Sequence, residues 1–242
     1  MRSLVMKSKL SYLKEKSLVS QRKSLMDNIA NALGLIQSTI QQSLPYLLQL
    51  SLLLLFVFLM NLLTMGRLGI LGIIPRKIYG IQGIVFAPFI HATFNHLFFN
   101  LIPLIILSDM LMLYGFEFYW QITWVLIMTS GVLIWLFARP GIHVGASSLI
   151  TAYWGFLVTN AFYSPSNIIN IAIGFICIYY FIGIFIGIFP SQDRVSWEGH
   201  LFGLISGIIV YLLAYYIPLM HKLLFEQPYW LSIPTWISRP LS

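Results

Sequence analysis

Charge is what this sequence has least of. Only 9% of its 242 residues are charged, seven of them acidic, and mean hydropathy is +0.85. A soluble domain carries about 25% charged residues, so this chain cannot cover a water-facing surface. Cysteine is nearly absent: Cys177 stands alone, which excludes an internal disulfide and any multi-cysteine metal site. Inside its apolar run it reads as a buried small residue and says nothing about redox compartment. His-Glu-x-x-His is missing and the five histidines offer no compact metal triad, which disfavours a membrane metalloprotease. No metal or cofactor is expected. The apolar stretches hold almost no charge in their interiors, which disfavours a transporter or channel. The first long apolar run starts only near Leu44, too far in for a cleavable signal peptide.

What is there is hydrocarbon, 59% of positions, and a polytopic membrane protein follows. Apolar runs at about 47–65, 93–113, 119–138, 145–162, 167–189 and 198–219 predict six spans. The fourth is short, as suits a helix buried among others. Before them, Ile29, Leu33, Ile36 and Ile40 recur at helical spacing behind Asp27 as N-cap, which predicts a surface helix over 27–42 lying on the bilayer. Residues 66–90 are apolar but broken by five glycines and two prolines, and predict a re-entrant or interfacial loop. The tail beyond His221, with Trp230 and Trp236, reads as an interfacial anchor. The chain thus divides into a basic N-terminal segment (1–45), a six-span membrane domain (46–220) and a C-terminal tail (221–242).

Seven of the 14 Lys and Arg lie in the first 23 residues. This basic segment leans toward anionic lipid; nucleic-acid binding has nothing further to support it. With the N-terminus inside, inside segments hold nine Lys and Arg and outside loops five, which favours both termini in the cytoplasm. A bacterial inner membrane is the simplest host.

Polar groups inside spans are costly and point to function. Three clusters occur: His91 with His96 and Asn100, then Gly145-Ala146-Ser147-Ser148, then Glu198-Gly199-His200. Each opens an even-numbered span, and alternate helices enter from one membrane face, so the three clusters share a level. A serine beside a histidine base is a nucleophilic arrangement. His96 and Asn100, four apart, share a helix face and can both donate to an oxyanion. His91 is five before His96 and is expected in a loop or surface role. The small residues before Ser147 let backbone approach at a helix start, where free N–H groups favour negative charge. Gly199, Gly203 and Gly207 are spaced by four and give the last span a smooth packing face. Isolated, each motif also reads as ordinary helix packing.

Together the motifs H96-LFF-N100, G145-A-S147 and H200-LF-G203-LIS-G207 resemble the rhomboid family of intramembrane serine proteases, over about residues 47–219. The resemblance implies an all-α, six-transmembrane-helix bundle with a partly embedded first loop. It implies Ser147 as nucleophile, His200 as general base, and His96, Asn100 and the Ser147 amide as oxyanion donors, with no acidic third member. Its substrates would be transmembrane segments of other proteins; a catalytically silent client-binding relative is the alternative. Three positions depart from the family pattern: Ser148 replaces the usual glycine, Thr151 stands where an aromatic is frequent (with Tyr153 nearby), and Gln82-Gly83 replaces Trp-Arg in the first loop, so that loop must be anchored differently.

Overall fold

The computed structural model describes residues 2–164, 168–186 and 197–217. The expected C-terminal anchor, with Lys222, Arg239, Trp230 and Trp236, lies outside them, as do Asp193 and Arg194. The described residues are mostly helical: α1 (Arg2–Leu63), α2 (Gly83–Phe86), α3 (Phe94–Met112), α4 (Phe116–Phe137), α5 (Ser147–Tyr163), α6 (Ile168–Ile186) and α7 (Trp197–Tyr216). A helix lies on each of the six apolar runs. Four of them, in α1, α3, α4 and α7, are long and apolar enough to cross a membrane.

One expectation fails at the N-terminus. A separate surface helix capped by Asp27 does not form; α1 passes through Asp27 and Pro45 without a break. Proline removes one backbone donor, and here packing outweighs that loss. Ala32, Thr39, Ser43, Leu47, Leu54, Phe58 and Asn61 are all buried, a stripe three to seven residues apart that keeps one face of α1 inward. At about 1.5 Å per residue α1 is roughly 93 Å long, about three times a hydrocarbon core, so only part of it can lie in lipid.

The short span is the central one. In α5 every residue from Leu149 to Leu157 is buried, and the helix touches α3, α4, α6 and α7. Apolarity all round is the pattern of a helix enclosed by others. Its hydroxyl and indole groups find partners: Tyr153 shares a 2.7 Å hydrogen bond with Thr123 of α4, and Trp154 Nε1 donates to the Cys177 carbonyl of α6 at 2.8 Å. Cys177 itself is fully buried. At the far end of α5, Asn160 donates to the Tyr114 hydroxyl, which donates to Asn170 Oδ1 at the start of α6.

Residues 64–93 fold as short helical turns against α4 rather than as a span. Arg76 replaces the missing Trp-Arg anchor. Its backbone N–H donates to Trp135 O at 2.9 Å, and its guanidinium to Leu136 O at 3.0 Å and Ala138 O at 2.8 Å. A cation on the orphan carbonyls of a helix C-terminus is favourable. Trp135 Nε1 returns a bond to Lys77 O. Gly83 completes the anchorage: a Cβ there would collide with the Gly72 and Ile73 backbone.

Candidate active site

The segment between α4 and α5 is held before it delivers Ser147. His143 and Ile73 exchange both backbone hydrogen bonds at 2.9 Å, and Gly145 N–H donates to Ala87 O at 2.9 Å. At Gly145 the chain takes φ +108°, a conformation that glycine accepts without strain. The same position requires glycine for space: a Cβ would lie 2.5 Å from His96 Nε2. The His96 ring therefore rests on the backbone two residues before Ser147. Helix α5 starts at Ser147, which puts this residue among the N–H groups that have no partner within the helix. Ser147 is half-buried.

His96 is placed by its own helix start. Thr93 caps α3 by accepting from His96 N–H at 3.1 Å. One turn on, buried Asn100 donates from Nδ2 to His96 O at 2.7 Å. Its amide carries a second N–H.

His200 lies in the first turn of α7, which packs on α5 along a close seam. A Cβ on Gly203 would collide with Thr151 Oγ1 and with the Ser148 carbonyl. Lower on the seam, a Cβ on Gly207 would meet the Ala152 carbonyl and lie 2.7 Å from Phe156 N, and one on Gly155 of α5 would lie 2.8 Å from Leu204 O. The two backbones touch along two turns, the contact that small residues permit. Ser147 precedes Ser148 by one residue, and His200 precedes Gly203 by three. Both therefore sit at the first turn above the same contact.

Two further members of the polar clusters have partners that their spacing did not indicate. His91 is not a surface residue: it is fully buried, its ring 5.1 Å from that of His96 and its Nε2 facing Ala146 N–H at 3.5 Å. The five-residue spacing misled because α3 starts only at Phe94, so helical geometry does not relate the two histidines. Burial, reinforced by neighbouring His96, lowers the His91 pKa from 6.5 to about 4, which keeps the ring neutral. Glu198, 4% exposed, pairs with Arg139, whose guanidinium also lies 5.5 Å over the Trp197 ring. A buried carboxylate in a membrane helix needs such a partner. The signal was Arg139, the lone cation between the third and fourth apolar runs. Among the described residues no His, Cys, Asp or Glu side chains gather as a metal-binding group.

The Rhomboid domain family model matches residues 79–217. The uncharacterized protein Rv1337 of Mycobacterium tuberculosis is 35% identical over 175 residues, 67% of this chain and 71% of that protein. The uncharacterized protein Mb1372 of Mycobacterium bovis matches to the same extent. The uncharacterized protein ML1171 of Mycobacterium leprae is 33% identical over 172 residues, 67% of this chain and 68% of its own length.

Proposed function

The chain belongs to the rhomboid family, and on that premise we propose that it is an intramembrane serine endopeptidase acting on transmembrane segments of other proteins. The observation that carries the reading is the α5–α7 seam, where Gly203 and Gly207 bring two backbones into contact over the two turns that follow Ser147 and His200. In this mechanism the Ser147 hydroxyl attacks the scissile carbonyl and gives its proton to His200. His96, the free N–H of Asn100 and the Ser147 amide stabilise the charge that develops on the carbonyl oxygen. Collapse breaks the C–N bond, and His200 passes the proton to the leaving amine. A water deprotonated by His200 then hydrolyses the acyl-serine ester. No acidic third residue is required, since Glu198 is committed to Arg139.

The proposed setting is a six-span bundle with residues 66–90 partly embedded and both termini cytoplasmic, in a bacterial inner membrane. Residues 46–220 form the membrane domain in this reading, between a basic segment (1–45) and an interfacial tail (221–242). A serine-directed fluorophosphonate tests the site: it labels the wild type, fails on Ser147→Ala and labels His200→Ala far more slowly. Unchanged labelling of Ser147→Ala refutes the nucleophile. Cleavage of a varied panel of transmembrane reporters, lost in both variants at equal expression, tests the activity; no cleavage by the wild type favours a silent client-binding relative.

A further inference from the structure

At the end of the bundle away from Ser147, α1, α3 and α6 line an open cavity of about 500 Å³. Its walls are aliphatic, from residues such as Leu33, Ile36, Ile105 and Ile173, and the polar members Ser43 and Asp109 bond to each other. Ser43 and Asp109 are the two polar side chains among its eighteen lining residues, and the rest of the wall is apolar, which suits a hydrocarbon occupant. The cavity lies beyond reach of the dyad. Its α3 wall starts at Ile105, about 14 Å along the helix from His96 at 1.5 Å per residue.

The α1 wall says which hydrocarbon. Ile29, Ile36 and Ser43 line the cavity at seven-residue intervals. The next position on that line is Arg22, exposed and followed by exposed Lys23, about 10 Å beyond Ile29. A fatty chain held between Ile29 and Leu47 would therefore carry its polar end toward Arg22 on that face, with Lys23 one step round the helix beside it. We propose that this cavity is a binding site for an anionic phospholipid, one acyl chain lying between α1, α3 and α6 and the phosphate meeting Arg22 and Lys23.

Native mass spectrometry of the full chain in detergent, titrated with phosphatidylglycerol or phosphatidylcholine, tests this. The wild type is expected to retain one phosphatidylglycerol in preference to phosphatidylcholine. Arg22→Gln is expected to weaken that binding about fivefold, the effect of one basic charge near an anionic headgroup. Ala172→Trp, which fills the cavity from an exposed position on α6, is expected to abolish it; Leu33→Phe does the same from the α1 side should that variant misfold. Equal retention of the two lipids, or undiminished occupancy in the filled variants, overturns the proposal. So does photo-crosslinking from position 172 that captures a polypeptide instead of lipid. Protease activity is not read in any arm.

Discussion

A methyl group on Gly203 would lie 2.9 Å from the Ser148 carbonyl carbon, and closer to that carbonyl's oxygen and to Thr151 Oγ1, where ordinary contact begins at 3.4 Å. The carbonyl oxygen sets the displacement, so Gly203→Ala must part α5 from α7 by about 1 Å at this contact. Overpacking of this kind costs about 1–3 kcal/mol. Alanine in place of a mid-helix glycine returns about 1 kcal/mol through helix propensity. The net loss of stability is thus small, about 0–2 kcal/mol. Catalysis is less forgiving, because a misplacement of about 1 Å can cost 100-fold, so reporter cleavage is predicted to fall by about 10- to 100-fold. The two magnitudes separate a positioning effect from unfolding. Thermal midpoint in detergent and the rate of fluorophosphonate labelling, measured on the same preparation, check it.

Two further variants sharpen the test. Gly34→Ala introduces a methyl with nothing within 4 Å, and should leave labelling unchanged while slightly raising the midpoint. Thr151→Ala in the Gly203→Ala background removes the hydroxyl collision and leaves the carbonyl one, so it should restore activity only in part. Wild-type labelling and cleavage by Gly203→Ala would refute the claim that this seam sets the distance between Ser147 and His200.

Buried His91 predicts a pH dependence of stability. Its pKa is lowered from 6.5 to about 4 in the native state, so between those values the unfolded chain binds more protons, and stability falls as pH drops through the window, by about 3 kcal/mol in all. His91→Gln should flatten the midpoint difference between pH 7 and pH 4; an unchanged slope would show that another group is responsible. Arg139→Ala strands the buried Glu198 carboxylate, and should lower the midpoint more than Arg139→Lys does. Combining Arg139→Ala with Glu198→Gln should recover part of the loss, since removing both partners leaves no unpaired charge; a double variant as unstable as Arg139→Ala would refute that account.

The six apolar runs and the three polar clusters were legible because each is local: hydrophobic length marks a helix, and the clusters fall at the starts of α3, α5 and α7. The pairings that build the site were not. Arg139 and Glu198 are separated by 59 residues, and nothing short-range connects them. Arg76 read as a loop charge, although its guanidinium closes the end of α4. His91 lies in a loop, as expected, but is buried and not at the surface, because its packing against His96 spans the boundary before α3. The unbroken α1 was missed because Asp27 reads locally as an N-cap, and a buried stripe on the opposite side of the helix overrides that signal.

Thr151 shows how one departure from the family pattern follows from a contact. Its hydroxyl donates to the Ser147 and Ser148 carbonyls at 3.0 Å and sits where a side chain on Gly203 would go. A ring at 151 on this side would have to displace α7, which the Gly207 contact one turn below forbids. Small residues at 151 and 203 are therefore a matched pair. Tyr153 does not take over for a missing aromatic either: it is fully buried, and its hydroxyl is spent on Thr123 of α4, away from the seam. The first turn of α5 therefore carries no aromatic side chain at 151 where the family pattern often has one, and the matched pair Thr151–Gly203 accounts for that departure.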